Sequence, residues 1–180
     1  MRLFVGLAVS DAVKDALERL TLRLRAKDDG LRWSTPEQWH VTLVFLGDVG
    51  QEAYARVVRE LACVRRERQT LRIERIGVFE RAGILYAEVE VTPELLRLHE
   101  EVAAGVERAG LEVEKRPYRA HVTLARSKNR DGRKTIERLG RAAEQQRLDQ
   151  RWEASEFLLY ESKLSPKGSA YVVRERFPLE

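Results

Sequence analysis

The chain has 180 residues, of which 34% are charged and 43% are hydrophobic, a balance that supports a folded core and excludes an intrinsically disordered chain. Its 33 Lys and Arg residues against 29 Asp and Glu residues give a net charge of +4, which mildly favours a polyanionic partner. The length predicts one domain over residues 1–180, and the lack of a signal peptide or of a membrane-spanning apolar run predicts a cytoplasmic protein.

Two strands and two helices are predicted in the first half of the chain. They are a strand at Arg2–Val9, a helix from Asp11 to before Asp28, a strand at Val41–Leu46 and a helix at Gln51–Arg66. Ser10 is a typical N-terminal cap for the first helix. Cys63, the only cysteine, excludes an internal disulfide, and its place in the apolar pattern of the second helix predicts a buried thiol.

The second half of the chain predicts a hairpin, two helices and three further strands. They are strands at Leu71–Phe79 and Ile84–Val91, a helix from Pro93 to Gly110, a strand at Val122–Ala125, a basic loop at Arg126–Lys134, a helix to about Gln150, and strands at Phe157–Leu164 and Tyr171–Phe177 joined by a turn at Ser165–Gly168. Strands joined by short turns and interspersed with helices predict an α+β fold with mainly antiparallel sheets.

An internal repeat is the most informative feature of the sequence. Residues 36–43 and 117–124 both read P-x-x-x-H-V-T-L, and nearly half the chain separates His40 from His121. Agreement at so many positions is improbable by chance. The repeat therefore predicts that each half of the chain supplies one equivalent strand to a pseudo-symmetric whole.

Strand geometry separates the reactive side chains of the repeat from its apolar ones. Because successive side chains of a strand point to opposite faces, His and Thr share one face of each copy, and Val and Leu share the other. The apolar face anchors the strand and holds the reactive face rigidly. Two such strands facing each other across a cleft would bring His40, Thr42, His121 and Thr123 to one small group.

Paired imidazoles suit acid–base chemistry at a phosphodiester. Imidazole titrates near pH 6.5, so one copy can be protonated while the other is neutral. Phosphodiester cleavage needs a base for the attacking oxygen and an acid for the departing oxygen, on opposite sides of phosphorus. The alternative, that both histidines are structural, is disfavoured because two of only three histidines occupy identical positions in the repeat.

The sequence predicts neither a metal nor another cofactor. His99 stands beside Glu100, but Ala103 occupies the position where the H-E-x-x-H zinc signature requires histidine. We therefore expect His99 to be structural or solvated. Histidines with threonine at i+2 also lack the usual spacing of metal ligands, although a metal site built from His40, His121 and a carboxylate stays open.

The two motifs resemble the paired H-x-T-x motifs of the two-histidine (2H) phosphoesterase superfamily, and within it the RNA 2′,3′-cyclic phosphodiesterases long called 2′-5′ RNA ligases. Further similar segments, which extend the resemblance over essentially the whole chain, are Arg2–Leu7, Phe45–Gly47, Arg116–Tyr118, Leu124–Arg126 and Tyr160–Ser162. The resemblance implies a bilobal fold in which two pseudo-symmetric antiparallel sheets, backed by helices, enclose a central cleft lined by both motifs.

The resemblance also implies a reaction and a role for each motif residue. In such enzymes water opens a terminal 2′,3′-cyclic phosphate to leave a 2′-phosphomonoester, and the reverse reaction can join RNA ends through a 2′-5′ bond. His121 would accept the proton of water, and His40 would donate a proton to the departing 3′ oxygen. Thr42 and Thr123 would bind the non-bridging phosphate oxygens. The implied partner is an RNA or oligonucleotide with a 2′,3′-cyclic phosphate end, bound by a monomer.

Two positions depart from the family pattern or from simple strand geometry. Ala120 precedes the second histidine where family members commonly carry proline, which predicts a less restricted local backbone. Arg126 matches a phosphate contact of the family, but strict alternation from His121 places it on the opposite face of the strand. Arg126 would then have to reach the site from a strand end or a bulge.

Other residues near the motifs have two open interpretations. The basic loop either follows an RNA backbone through phosphate contacts or is solvated. Trp33, Trp39 and Tyr118 either stack on an end base or pack in the core.

Two other functions are alternatives to the phosphodiesterase. A non-catalytic RNA-end or nucleotide-binding module could use the same cleft, and it would bind cyclic phosphates without turnover. An ATP-dependent ligase is disfavoured because the chain has no G-x-x-x-x-G-K-[ST] phosphate loop, and because Asn129 stands where the K-x-D-G motif of nucleotidyl ligases requires lysine.

Overall fold

The structure is a computed structural model that describes residues 1–166 and 168–180. Its strands are β1 (Arg2–Ala8), β2 (Leu31–Trp33), β3 (His40–Asp48), β4 (Gln69–Phe79), β5 (Ile84–Val89), β6 (His121–Ser127), β7 (Arg147–Ala154), β8 (Glu156–Ser165) and β9 (Gly168–Pro178). Its helices are α1 (Asp11–Leu24), α2 (Gln51–Leu61), α3 (Pro93–Arg108) and α4 (Arg130–Ala143), with a short 3-10 turn at Pro36–Gln38. Lys167, part of the predicted turn at Ser165–Gly168, lies outside the described residues.

The strands form two sheets, which confirms the predicted α+β class. The first sheet has the order β3-β1-β8-β9, and the second has the order β2-β6-β5-β4-β7. The strand pairs that the described residues form are antiparallel throughout. β3 and β6, the two strands of the repeat, lie in different sheets, so each sheet supplies one motif histidine.

Side-chain caps explain where three of the helices begin. Side-chain oxygens of Ser10, Thr92 and Asn129 each accept a hydrogen bond from a backbone N–H three residues later, at 3.4, 3.1 and 2.9 Å. Such caps satisfy a free N–H group of the first turn. α3 packs beside β3, and α4 packs on β4, β5 and β6, so helices back both sheets. None of the helices formed by residues 1–166 and 168–180 is long and apolar enough to cross a membrane.

The apolar residues of both repeats lie in one core. Val41, Leu43, Val122 and Leu124 are at most 3% exposed and belong to the same continuous cluster of buried side chains. The histidine and threonine of each copy are half-buried on the other face of their strands. The alternation predicted for the four motif residues is therefore confirmed, and the core fixes both reactive faces.

Three predictions about chain segments outside the repeats are wrong. α2 ends at Leu61, earlier than predicted, and Cys63 is exposed because it follows the helix instead of lying on its buried face. The predicted basic loop is not a loop, since β6 continues to Ser127 and α4 begins at Arg130. The Asn129 cap starts this helix among basic residues, and its buried apolar residues, Ile136, Leu139 and Ala143, lie only in its later turns.

The end of the helix predicted to run to about Gln150 is wrong, because residues 147–154 form the strand β7 instead. β7 pairs with β4 at the edge of the second sheet and turns the buried Trp152 toward the core. The indole N–H of Trp152 donates a hydrogen bond to the carbonyl of Ala8 at 2.9 Å, which links the second sheet to the first. β2 was not predicted, because three residues are too few to show a periodic pattern.

Candidate active site

Each repeat fixes its histidine ring through the same backbone contact. Nδ1 of His40 lies 2.8 Å from the carbonyl oxygen of Gln38, and Nδ1 of His121 lies 2.8 Å from the carbonyl oxygen of Arg119. Because a carbonyl only accepts hydrogen bonds, Nδ1 carries the hydrogen in both neutral rings. Nε2 is therefore the nitrogen that each ring offers for proton transfer.

The threonines of the repeats accompany the histidines on the same strand faces. The hydroxyl of Thr42 lies 3.0 Å from Nε2 of His40 and can donate a hydrogen bond to the neutral ring. Thr123 occupies the equivalent place after His121 on β6 and is half-buried. Each strand thus presents one imidazole nitrogen and one hydroxyl to the same side.

A β-bulge in each repeat strand turns one more side chain toward the reactive face. The pairing of β3 with β1 skips Leu43, and the pairing of β6 with β5 skips Leu124. An extra residue in a strand reverses the alternation of the side chains beyond it. From the histidine onward, both strands consequently read half-buried, buried, half-buried, buried, buried and exposed, and this pattern ends at Phe45 and at Arg126.

The bulge corrects the expectation that Arg126 lies on the face opposite to His121. Past the bulge, Arg126 lies on the reactive face of β6, and its positive charge lowers the pKa of both His40 and His121. Phe45, its equivalent on β3, is 59% exposed. The two halves of the site thus differ, because beyond the bulge one strand carries a cation and the other an exposed aromatic ring.

Burial and neighbouring cations keep both imidazoles neutral at pH 7. Burial lowers the pKa of His40 to about 4, aided by the positive charge of Arg126 and by that of His121 when His121 is protonated. Burial also lowers the pKa of His121, and the guanidinium groups of Arg126 and Arg119 act in the same direction. The hydrogen bond to the backbone carbonyl opposes the shift in both rings only in part. A bound anion would favour the charged form of either ring.

Aromatic rings that the sequence did not single out supply this burial. The ring centroid of Phe4 lies 4.6 Å from that of His40. Phe79 and Tyr86 meet His121 edge-on, at centroid distances of 5.1 and 5.4 Å. These rings come from β1, β4 and β5, outside the repeat, and only strand pairing brings them to the histidines. No periodic signal in the sequence marks them.

Two glycines leave room for the rings. A Cβ atom at Gly77 would lie 2.5 Å from the ring of Tyr86, its partner across the β4–β5 pair. A Cβ atom at Gly6 would lie 2.8 Å from the carbonyl oxygen of Val41 and 3.5 Å from the ring of His40. A larger side chain at either position would therefore disturb the geometry around the histidines.

The three aromatic residues considered as base-stacking candidates favour the packing interpretation. Trp39 is 3% exposed. The ring of Tyr118 stacks on His99, with centroids 4.1 Å apart. The indole N–H of Trp33 donates a hydrogen bond to Asp29 at 2.8 Å. Phe45, rather than any of these three, is the exposed ring beside the motifs.

The sequence and the fold are similar to those of known proteins. The family model of the 2′-5′ RNA ligase superfamily matches residues 9–165. An RNA 2′,3′-cyclic phosphodiesterase of Thermus thermophilus is 31% identical over 99% of this chain and 90% of the relative. A protein of the same name from Archaeoglobus fulgidus is 29% identical over 95% of this chain and 96% of the relative. The crystal structure of Escherichia coli LigT with 3′-AMP covers 99% of this chain and 97% of its own, with a TM-score of 0.82 at 20% identity, and so shares the fold.

Proposed function

This chain belongs to the 2′-5′ RNA ligase superfamily, and from that premise we propose that it hydrolyses the 2′,3′-cyclic phosphate at an RNA end to a 2′-phosphomonoester. RNA 2′,3′-cyclic phosphodiesterase is the name of relatives that match nearly its whole length. The protein is therefore a phosphoric diester hydrolase. If the 5′ hydroxyl of a second RNA end took the place of water, the same base and acid would join the two ends through a 2′-5′ bond, with O3′ again leaving as a free hydroxyl.

One observation supports the catalytic mechanism most strongly. Two histidines on equivalent strands of different sheets each offer Nε2, and the charge of one residue, Arg126, acts on both rings. The charge that His121 carries when it is protonated also lowers the pKa of His40, which supports an arrangement in which both rings act on one phosphate. Such a site draws on both sheets, so we treat residues 1–180 as one functional domain.

In the proposed reaction, the two histidines move one proton each on opposite sides of phosphorus. Nε2 of His121 accepts a proton from water while the water oxygen bonds to phosphorus. The bond between phosphorus and O3′ breaks, and Nε2 of His40 gives its proton to O3′. The product carries a 2′-phosphate and a free 3′ hydroxyl, and proton exchange with solvent then restores both rings.

Three side chains would stabilise the negative charge of the phosphate. The hydroxyls of Thr42 and Thr123 would each donate one hydrogen bond to a non-bridging oxygen. The guanidinium group of Arg126 would donate two parallel hydrogen bonds, a geometry that suits phosphate. Because these donors can neutralise the phosphate by themselves, we propose that the reaction needs no metal.

The test of this function supplies the purified protein with an oligonucleotide that ends in a 2′,3′-cyclic phosphate, with a chelator present. We expect complete conversion to the 2′-phosphate, which phosphorus NMR distinguishes from the 3′-phosphate. Loss of turnover in chelator, recovered on adding a metal, would exclude the metal-independent reaction. Binding of the cyclic phosphate without turnover would instead support the non-catalytic RNA-end-binding module.

The pH dependence should reveal both imidazoles. Catalysis requires one proton on the pair, and because both pKa values lie below 6.5 in the free protein, that proton is lost as the pH rises. We expect kcat/KM to fall about tenfold per pH unit above pH 6.5. In the complex the phosphate charge raises both pKa values, so the kcat profile should extend to higher pH. A kcat/KM that stays flat from pH 5.5 to 8.5 would contradict this assignment.

Phe45 is the proposed stacking surface for the terminal base. Its ring is 59% exposed and lies 6.0 Å from the ring of Phe4, on the face that carries His40 and Thr42. Base–aromatic stacking contributes about 1–3 kcal/mol, so Phe45→Ala should lower kcat/KM for a nucleoside 2′,3′-cyclic phosphate by about 5- to 150-fold. Phe45→Trp should retain most of the activity.

The control for this substitution is Leu22→Ala, because Leu22 is an equally exposed apolar residue, 60% exposed, on α1. A ribose 2′,3′-cyclic phosphate that lacks a base provides the second control. Phe45→Ala should leave its hydrolysis within about twofold of the unsubstituted protein, since no stacking is lost. Equal losses of kcat/KM for the substrates with and without a nucleobase would show that Phe45 stabilises β3 instead of binding the substrate.

A further inference from the structure

Two side chains from outside β3 cover the edge of this strand. Nδ1 of His99, on α3, donates a hydrogen bond to the carbonyl of Leu43 at 2.9 Å, and the hydroxyl of Tyr118 donates one to the carbonyl of Thr42 at 2.9 Å. The two donor rings stack with centroids 4.1 Å apart and planes 9° from parallel. We call this stacked pair the His99–Tyr118 brace.

The brace lies at the bulge of β3. In the described part of the chain β3 pairs only with β1, so carbonyls that point away from β1 lack a strand partner. The bulge at Leu43 leaves two successive carbonyls, of Thr42 and Leu43, that accept hydrogen bonds from side chains. Leaving such buried carbonyls unpaired would destabilise this bulged backbone.

The second repeat satisfies the equivalent carbonyl with backbone. The carbonyl of Leu124, the counterpart of Leu43, accepts a hydrogen bond from the backbone N–H of Ser34 at 2.8 Å. Ser34 directly follows β2, which pairs along this edge of β6. The brace therefore supplies the hydrogen-bond donors for the free edge of β3, whereas backbone at β2 supplies them for β6.

Both members of the brace are suited to donate. Burial raises the pKa of the Tyr118 phenol, so the hydroxyl keeps its proton throughout the range in which the histidines titrate. The carbonyl acceptor of His99 requires the hydrogen on Nδ1.

We infer that His99 and Tyr118 are positioning residues of the active site, which hold the bulge at Thr42–Leu43 and thereby the directions of His40 and Phe45. Tyr118 belongs to the second copy of the repeat and precedes His121, yet it contacts the strand of the first copy. The brace thus ties the two motif strands together. This inference rests on the proposed function, since it concerns the geometry of the same site.

The test compares variants that keep or remove each donor. Tyr118→Phe keeps the stacked ring and removes only the hydroxyl, so we expect kcat to fall about 3- to 10-fold while KM stays within about twofold. His99→Leu should lower kcat by at least the same factor. His99→Asn, whose amide nitrogen can take the place of Nδ1, should recover most of the lost kcat.

Three matched controls separate positioning from general stability. Tyr54→Phe removes a tyrosine hydrogen bond outside the site, from Tyr54 to Glu175 at 2.7 Å, and should leave kcat within about twofold. In a Thr42→Val background the effect of Tyr118→Phe should shrink, because both act through the same strand. In a Thr123→Val background the effect should persist in full. Additive effects in both backgrounds would refute the inference.

A second readout does not depend on turnover. Tyr118→Phe should shift the imidazole 15N resonances of His40, whereas Tyr54→Phe should not, because only the brace bears on the strand that carries His40. Unchanged His40 resonances together with unchanged kcat would remove the inference while leaving the hydrolase intact. If the unsubstituted protein turned over no cyclic phosphate, the proposed function would fail, and the His40 resonances would still decide whether the brace orients this ring.

Discussion

Replacement of His40 or His121 by alanine is expected to lower kcat/KM for an RNA 2′,3′-cyclic phosphate by about 10²- to 10⁴-fold, the usual contribution of a general acid or base. In each ring Nδ1 contacts a backbone carbonyl, so Nε2 is the nitrogen available for proton transfer. Each substitution removes that Nε2. Single-turnover kinetics with excess protein measure the loss directly. Activity within threefold of the unsubstituted protein in either variant would refute the assignment.

Asparagine provides the matched control for these alanine variants. His40→Asn and His121→Asn keep a donor for the backbone carbonyl but lack Nε2, so they should fold normally and lose as much rate as alanine. The leaving group distinguishes the two roles. With a p-nitrophenyl diester, whose leaving group needs no proton, His40→Ala should recover much of its rate, whereas His121→Ala should not. The opposite pattern would show that His121 is the acid and His40 is the base.

Replacement of Arg126 by glutamine is expected to lower kcat/KM by about 10- to 150-fold, because hydrogen bonds to a charged group contribute about 1.5–3 kcal/mol. The same substitution removes a positive charge that lowers the pKa of both histidines, so both pKa values should rise. The kcat/KM profile should therefore move to higher pH. Arg126→Lys should recover part of the rate, since it restores the charge without the two parallel hydrogen bonds.

The control for Arg126 is Arg130→Gln, an equal change of charge at an exposed position that begins α4 and lies outside β6. It should change kcat/KM by less than about threefold, as expected for a surface charge. Equal losses in both variants would attribute the effect of Arg126 to the overall charge of the protein. A loss at Arg126 without a shift of the pH profile would place its guanidinium group away from the imidazoles.

The repeat allowed the central part of the site to be predicted, because it combines a period with reactive side chains. His40, Thr42, His121 and Thr123 follow strand alternation from a buried valine and leucine, so their shared faces could be derived without coordinates. Beyond the motif, alternation failed. The bulge at Leu124 leaves no mark in residue types, so the direction of Arg126 became known only from the strand pairing.

Contacts between distant segments account for most of what the sequence did not predict. Phe4, Phe79 and Tyr86 reach the histidines because β1, β4 and β5 pair in a particular register, which no single segment encodes. His99 was predicted to be structural or solvated, but its role at the edge of β3 depends on where α3 packs. For β7, the polar residues of an edge strand concealed the alternation that would have identified it.

The unequal residues that follow the two bulges have a consequence for the product. Two matching half-sites have no inherent direction, since either imidazole could then meet either oxygen of a cyclic phosphate. Phe45 on β3 and Arg126 on β6 remove this ambiguity, because a nucleoside can stack on the ring of Phe45 but cannot take the place of the Arg126 guanidinium group. We expect this mismatch, rather than any difference between the histidines, to decide which ribose oxygen keeps the phosphate.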